Sequence, residues 1–111
     1  LLELDAPRFA ELNAWMRDHL AEDLCVERLA AEAAMSPRNF ARAYAGETGV
    51  TPAKAVERLR VDAARAALAQ GGAIQEVAAR TGFGDPERMR RAFVRLYGAP
   101  PAALRRTLRP A

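Results

Sequence analysis

One stretch of this chain is written twice. Residues 26–52 recur at 74–101. Val26 matches Ile74, Leu29 matches Val77, Ala30 matches Ala78, Ala34 matches Gly82 and Met35 matches Phe83. Gly84 is then inserted, and the register resumes one residue later: Ser36 matches Asp85, Pro37 matches Pro86, Phe40 matches Met89, Arg42 matches Arg91, Tyr44 matches Phe93, Gly49 matches Gly98 and Pro52 matches Pro101. Chance does not readily give Ala-rich sequence shared punctuation, shared apolar positions and one shared arginine. Two copies are too few for a solenoid, which needs about three units to bury its core. The repeat therefore calls for two small, similar units within one short chain.

The punctuation says what each unit is made of. Pro is favoured at the first helical position, with Ser, Thr or Asp just before it as a cap. Ser36-Pro37, Thr51-Pro52 and Asp85-Pro86 have that form, and Pro100-Pro101 marks a fourth start without a side-chain cap. Apolar residues between these marks recur at helical spacing. Phe9, Leu12, Trp15 or Met16, and Leu20 predict a first helix over about 7–21. Val26, Leu29, Ala30 and Ala33 give a short second helix, and a third runs from Pro37 to a stop at Gly49. Val56, Leu59, Ala63 and Ala67 give a long fourth over about 52–69, closed by Gly71-Gly72. Ile74, Val77 and Ala78 give a fifth, a sixth runs from Pro86 to Gly98, and a seventh follows Pro101. No alternating pattern suggests a strand. The expected fold is all-α.

Each repeat is a short helix, a tight turn and a longer helix, which is the plan of a helix-turn-helix whose second helix enters the DNA major groove. The turn explains the small residue at Ala34 and Gly82, and Met35 and Phe83 would plug the space between the helices. On the sixth helix Met89, Ala92, Phe93 and Leu96 fall on one side, and Glu87, Arg88, Arg90, Arg91, Val94 and Arg95 on the rest. On the third, Phe40, Ala43 and Tyr44 face inward, while Arg38, Ala41, Arg42 and Ala45 face outward. Arg38 and Arg42 are spaced to share one groove. Arginines on an outer face also keep a helix solvated, but the match of Arg42 to Arg91 on two capped helices favours a DNA contact. Glu87 is spaced to pair with Arg91 and sits where the helix dipole favours an acid. It could also accept from a cytosine amino group.

Charge points the same way. Residues 1–35 carry three basic and eight acidic side chains, net −5, and residues 36–111 carry fourteen and six, net +8. Every basic residue but Lys54 is Arg, which forks onto phosphate oxygens and guanine edges. A GC-rich genome accounts for Arg over Lys equally well; it does not account for the segregation. A fourth helix of about 18 residues is about 27 Å long. It could hold two reading helices roughly one DNA turn apart, about 34 Å. One polypeptide would then read two successive major-groove segments without a palindrome.

Other chemistries find little support. One histidine, His19, and one cysteine, Cys25, are present. Both read as packing or surface residues, Cys25 as a small buried one, and Trp15 as core. No paired carboxylates, phosphate loop or metal-ligand spacing appears, so neither an enzyme nor a cofactor is expected. No run of about 18 apolar residues could span a membrane. The lone cysteine excludes an internal disulfide and fits a reducing, cytoplasmic setting. The rival reading is a helical protein-interaction module without DNA binding. RNA is disfavoured because the outer faces lack stacking aromatics.

These residues together resemble the DNA-binding domain of the AraC/XylS family of bacterial transcription regulators, over about residues 7–108. The likeness rests on the Gly82-Phe83-x-Asp85 turn with Met89, Arg91 and Phe93, and on the Gly98 to Pro101 spacing. It rests equally on Leu29-Ala30, Met35-Ser36-Pro37, Phe40, Arg42, Glu47-Thr48-Gly49 and Pro52. The resemblance implies seven helices in two helix-turn-helix subdomains, 7–50 and 71–108, joined by a linker helix at 51–70, the whole of 1–111 forming one DNA-binding domain. It implies double-stranded DNA as partner, with RNA polymerase a further one. Recognition positions carry over to Arg38, Ala41 and Arg42, and to Glu87, Arg88 and Arg91. Ser36, Asn39, Asp85, Arg90 and Arg95 complete the candidate set. Three departures stand out: Cys25 replaces a usual Ser or Thr cap, Met89 replaces a usual Phe, and Ala41 offers only a methyl for a thymine. The pattern looks most like the branch whose DNA-binding half follows a PfpI-like, class I amidotransferase-like domain. That would make this chain the C-terminal part of a regulator whose N-terminal effector or sensor domain precedes Leu1, with the acidic first 35 residues turned toward that domain and the whole associated with the nucleoid.

Overall fold

The three predicted capping dipeptides each open a helix. In the computed structural model, which describes residues 7–103, Ser36 Oγ accepts from Asn39 N (3.4 Å), Thr51 Oγ1 from Lys54 N (3.3 Å) and Asp85 Oδ1 from Arg88 N (2.9 Å). Each bond satisfies a backbone donor that a helix start leaves without a partner. The chain is helical throughout the described residues, with no strand. A single 3-10 turn, Pro7–Phe9, leads into α1 (Ala10–Asp18), α2 (Val26–Glu32), α3 (Pro37–Thr48), α4 (Pro52–Ala69), α5 (Ile74–Arg80) and α6 (Pro86–Tyr97). Residues 101–103 are helical, at the predicted start of a seventh helix; the residues predicted to continue it lie outside the described residues. Gly49 and Gly98 close α3 and α6 in the left-handed conformation (φ 82° and 73°), each N–H bonding four residues back. Backbone contacts divide the chain into two compact units, Leu1–Val56 and Glu57–Ala111.

The first unit is built on aromatics. Phe9 packs edge-on against Phe40 (5.8 Å between ring centres) and tilts against Tyr44 (5.1 Å). Leu12, Met16, Leu20, Leu24, Leu29 and Ala30 are buried with them. The Tyr44 hydroxyl donates to Asn13 Oδ1 at 2.8 Å inside this core, and Asn13 Nδ2 is left without a partner. The second unit buries Val61, Ala64, Leu68, Val77, Ala78, Phe83, Met89, Ala92 and Phe93 in one cluster.

The turn inside each repeat closes in the same way. Ala34 N and Gly82 N bond back to Ala31 and Ala79 carbonyls, and Met35 N and Phe83 N to Ala30 and Ala78. This pattern needs a left-handed residue just past the helix. Gly82 supplies it freely at φ 92°; Ala34 adopts it at φ 57° despite its Cβ.

Several expectations are corrected. The first helix does not run over 7–21: α1 ends at Asp18, because His19 Nδ1 takes the Trp15 carbonyl (2.6 Å) and the His19 backbone N–H shifts to Met16 O. Trp15 is half-buried rather than core, and Met16 holds the inner position. Its indole is sandwiched instead, stacked on the His19 ring (4.3 Å) with the Arg28 guanidinium 5.1 Å from the ring centre. Cys25 is exposed, not buried. It sits at the mouth of α2 in extended backbone and makes no side-chain cap bond. Met35 is half-buried, whereas its counterpart Phe83 is buried. The single apolar stripe expected on α4 is replaced by Pro52, Ala55, Val56 and Leu59 in its first half and Val61, Ala64 and Leu68 in its second; Ala63 and Ala67 are half-buried. Leu96, expected inside, is 37% exposed. Tyr97 packs on the core in its place, because its ring meets Phe93 (5.9 Å) while its hydroxyl reaches Asp62 (3.0 Å).

Candidate nucleic-acid interface

The buried faces of α3 and α6 fix which side chains are left for a partner. Phe40, Tyr44 and Thr48 anchor α3; Met89, Ala92 and Phe93 anchor α6. On α3 this leaves Ser36, Arg38, Asn39 and Arg42 exposed, with Ala41 half-buried. Arg42 Nη2 donates to Asn39 Oδ1 at 3.0 Å, so one amide holds the guanidinium along the outer face. Arg38 is exposed and makes no ion pair among the described residues.

On α6 every expected candidate is exposed: Asp85, Glu87, Arg88, Arg90, Arg91 and Arg95. They differ in what holds them. Arg90 clamps Glu87 with its Nε on both carboxylate oxygens (2.9 and 3.1 Å) and Nη2 on Oε2 (2.7 Å). The pair expected between Glu87 and Arg91 is the looser one, at 3.7 Å. Both spacings suit a helix surface, and Arg90 has the better geometry. The Arg90 hydrogen bond is the main reason the Glu87 carboxyl lies below the usual carboxylate range, with the charges of Arg90 and Arg91 adding to it. Arg95 is tied to Glu57 of α4 at 2.6 Å, and Arg88 lies 3.8 Å from Asp85. Donating to the Glu87 and Glu57 carboxylates raises Arg90 and Arg95 respectively, so both stay charged. Arg91 and Arg88, the latter the most exposed of the set at 71%, keep most of their donors free. Ser36 and Asp85 already turn an oxygen to the backbone as caps.

A short helix, a left-handed turn and a capped second helix with a charged outer face therefore occur twice. Among the described residues no helix is long and apolar enough to cross a membrane. The architecture is that of a double helix-turn-helix protein.

Known proteins agree. The helix-turn-helix domain family matches residues 29–107. Over 82 residues the chain is 44% identical to the HTH-type transcriptional regulator Rv1931c of Mycobacterium tuberculosis, spanning 73% of this chain and 32% of that protein. Over 99 residues it is 33% identical to the HTH-type transcriptional activator RhaS of Klebsiella pneumoniae, spanning 88% of this chain and 36% of that protein. The DNA-binding domain of the global transcriptional factor AdpA, solved in complex with a target DNA, superposes with a TM-score of 0.83 at 40% identity, covering 90% of this chain and 91% of that one. The chain belongs to the helix-turn-helix family of AraC-type DNA-binding domains found in transcription regulators. It spans about a third of the length of the curated relatives it matches.

Proposed function

We propose that this chain binds double-stranded DNA sequence-specifically, placing α3 and α6 in two successive major-groove segments, and that this binding regulates transcription. The observation that carries the reading is the pair of capped helices with exposed arginines at the repeat-matched positions 42 and 91. Arg91 and Arg42 are assigned to base edges, since Arg forks onto guanine O6 and N7. Arg88, Arg90, Arg95 and Arg38 are assigned mainly to phosphates. Ser36 and Asp85 set the helix ends against the backbone, Asn39 orients Arg42, and Ala41 offers a methyl surface. In this reading residues 7–50 and 71–108 are the two reading subdomains and 51–70 the helix between them.

The acidic α1–α2 side is left for protein. We assign it to an N-terminal effector or sensor domain, with RNA polymerase as a further partner, and place the protein in the cytoplasm on the nucleoid. The test is titration of labelled duplexes at a series of salt concentrations. Log affinity should fall linearly with log salt, with a slope of about −0.9 per phosphate neutralised. Sites selected from random DNA should contain two short half-sites about ten base pairs apart. No binding even at low salt would leave the protein-interaction module as the better reading.

A further inference from the structure

We infer that Val94 is a base-reading residue, contacting the 5-methyl group of a thymine in the segment that α6 enters. The inference rests on the DNA-binding reading above. Val94 is 40% exposed, one of two large apolar side chains left so open among the described residues. It takes no part in the second unit's core cluster. Its position on the helix is the telling feature. At about 100° per residue, Glu87, Arg91 and Val94 fall within about 60° of one another. With Arg90 they form the i, i+3, i+4, i+7 stripe by which a helix lying in the major groove presents its side chains to the bases.

A β-branched apolar residue there lies outside the core and slightly disfavours the helix. Charged neighbours surround it: Arg90 and Arg91 one turn before, and Arg95 beside it. In the major groove the one apolar feature a base edge offers is the thymine methyl. A branched apolar side chain, close enough for its flanking arginines to hold the helix on the backbone, suits that group and none of the polar edges. The corresponding residue of the first repeat is Ala45, half-buried and too short to protrude. The preference is therefore confined to the half-site of the second unit.

The test uses deoxyuridine, which differs from thymidine only by that methyl. Duplexes carrying the site this chain selects from random DNA are made with each thymine replaced singly, and affinities are measured at one salt concentration. At one thymine of the α6 half-site the unaltered chain should lose about 4-fold, the worth of one buried methyl. Val94→Ala should bind the thymine duplex weaker by a similar factor and be indifferent to the replacement, while Val94→Ile keeps the sensitivity. Circular dichroism confirms that both variants are folded. If Val94→Ala abolishes the loss at no position, the inference is overturned while the DNA-binding reading stands. If no DNA is bound at all, that reading falls first.

Discussion

The two helix-turn-helix units share a hydrogen-bonding pattern at the turn and differ in nearly everything attached to it. The first has a non-glycine residue in the left-handed turn, a long serine cap, an aromatic core and a buried Tyr44–Asn13 hydrogen bond. The second has Gly82 in the turn, a short aspartate cap and a core built on Phe83, Met89 and Phe93. Their outer faces diverge further. Arg38, Asn39, Ala41 and Ala45 in one correspond to Glu87, Arg88, Arg90 and Val94 in the other, and only Arg42 and Arg91 agree. The scaffold constrains the turn, the cap and the anchors. The exposed positions are free to change, which lets one chain present two different outer faces.

The largest effects should come from the anchors. Phe40 and Phe93 are both fully buried, and truncating either to Ala should cost about 3–5 kcal/mol. Phe40→Ala should be the worse, because Phe40 meets the rings of both Phe9 and Tyr44, whereas Phe93 meets Tyr97. Urea unfolding followed by far-UV circular dichroism measures both. The reverse order would mean that the aromatic cluster of the first unit adds nothing beyond its buried area.

On DNA the contrast should shift to the second unit. Arg91→Ala should weaken binding to a selected site by about 1–3 kcal/mol and leave random DNA almost unaffected. Arg42→Ala should lie at the lower end of that range, since neighbouring Ala41 brings no hydrogen bond to the bases. Competition titrations with selected and random duplexes separate the cases. Equal losses on both duplexes would make the arginine a phosphate contact instead.

The turns give a smaller, opposed pair. Gly82→Ala should destabilise by about 1–2 kcal/mol, because a Cβ in the left-handed region crowds the following carbonyl. Ala34→Gly relieves the same crowding but adds unfolded-chain entropy, so it should stabilise by at most about 1 kcal/mol. Opposite signs in thermal melts would confirm that the two turns are one structure with different residues in it.

What was legible in the sequence follows from how local each feature is. The caps, the glycine stops and the extent of α4 are set by neighbouring residues, and all were visible in the Ser-Pro, Thr-Pro and Asp-Pro pairs and in Gly49, Gly71-Gly72 and Gly98. Features decided by tertiary contacts were not. Trp15 and Met16 are adjacent and both apolar, and only tertiary packing makes Met16 the buried one. A single stripe along α4 assumes one core, while this helix serves two and changes its buried positions between them. Leu96 and Tyr97 compete for one place, and Asp62, far away in sequence, decides it for the residue with a hydroxyl. At the candidate site the positions were legible but the pairing was not. Spacing allowed Glu87 either arginine, and side-chain geometry selects Arg90.

That pairing yields the smallest prediction and the sharpest contrast with the first unit. The Glu87 carboxyl is held low mainly by the hydrogen bond from Arg90. Its folded value is below its unfolded one, so the stabilisation is fully present above the unfolded value and is lost as pH falls through the folded one. The window therefore opens near the ordinary glutamate value of about 4.3 and extends below it. Because the pair is exposed, solvent screens it and the effect should be slight. Urea midpoints across that window should fall a little more steeply for the unaltered chain than for Glu87→Gln, and Arg90→Ala should behave like Glu87→Gln. The first unit has Arg38 at the matching position, so Arg38→Ala should leave the slope unchanged. If Glu87→Gln tracks the unaltered chain throughout, the clamp is not maintained in solution, and Arg90 is free of it to meet a phosphate.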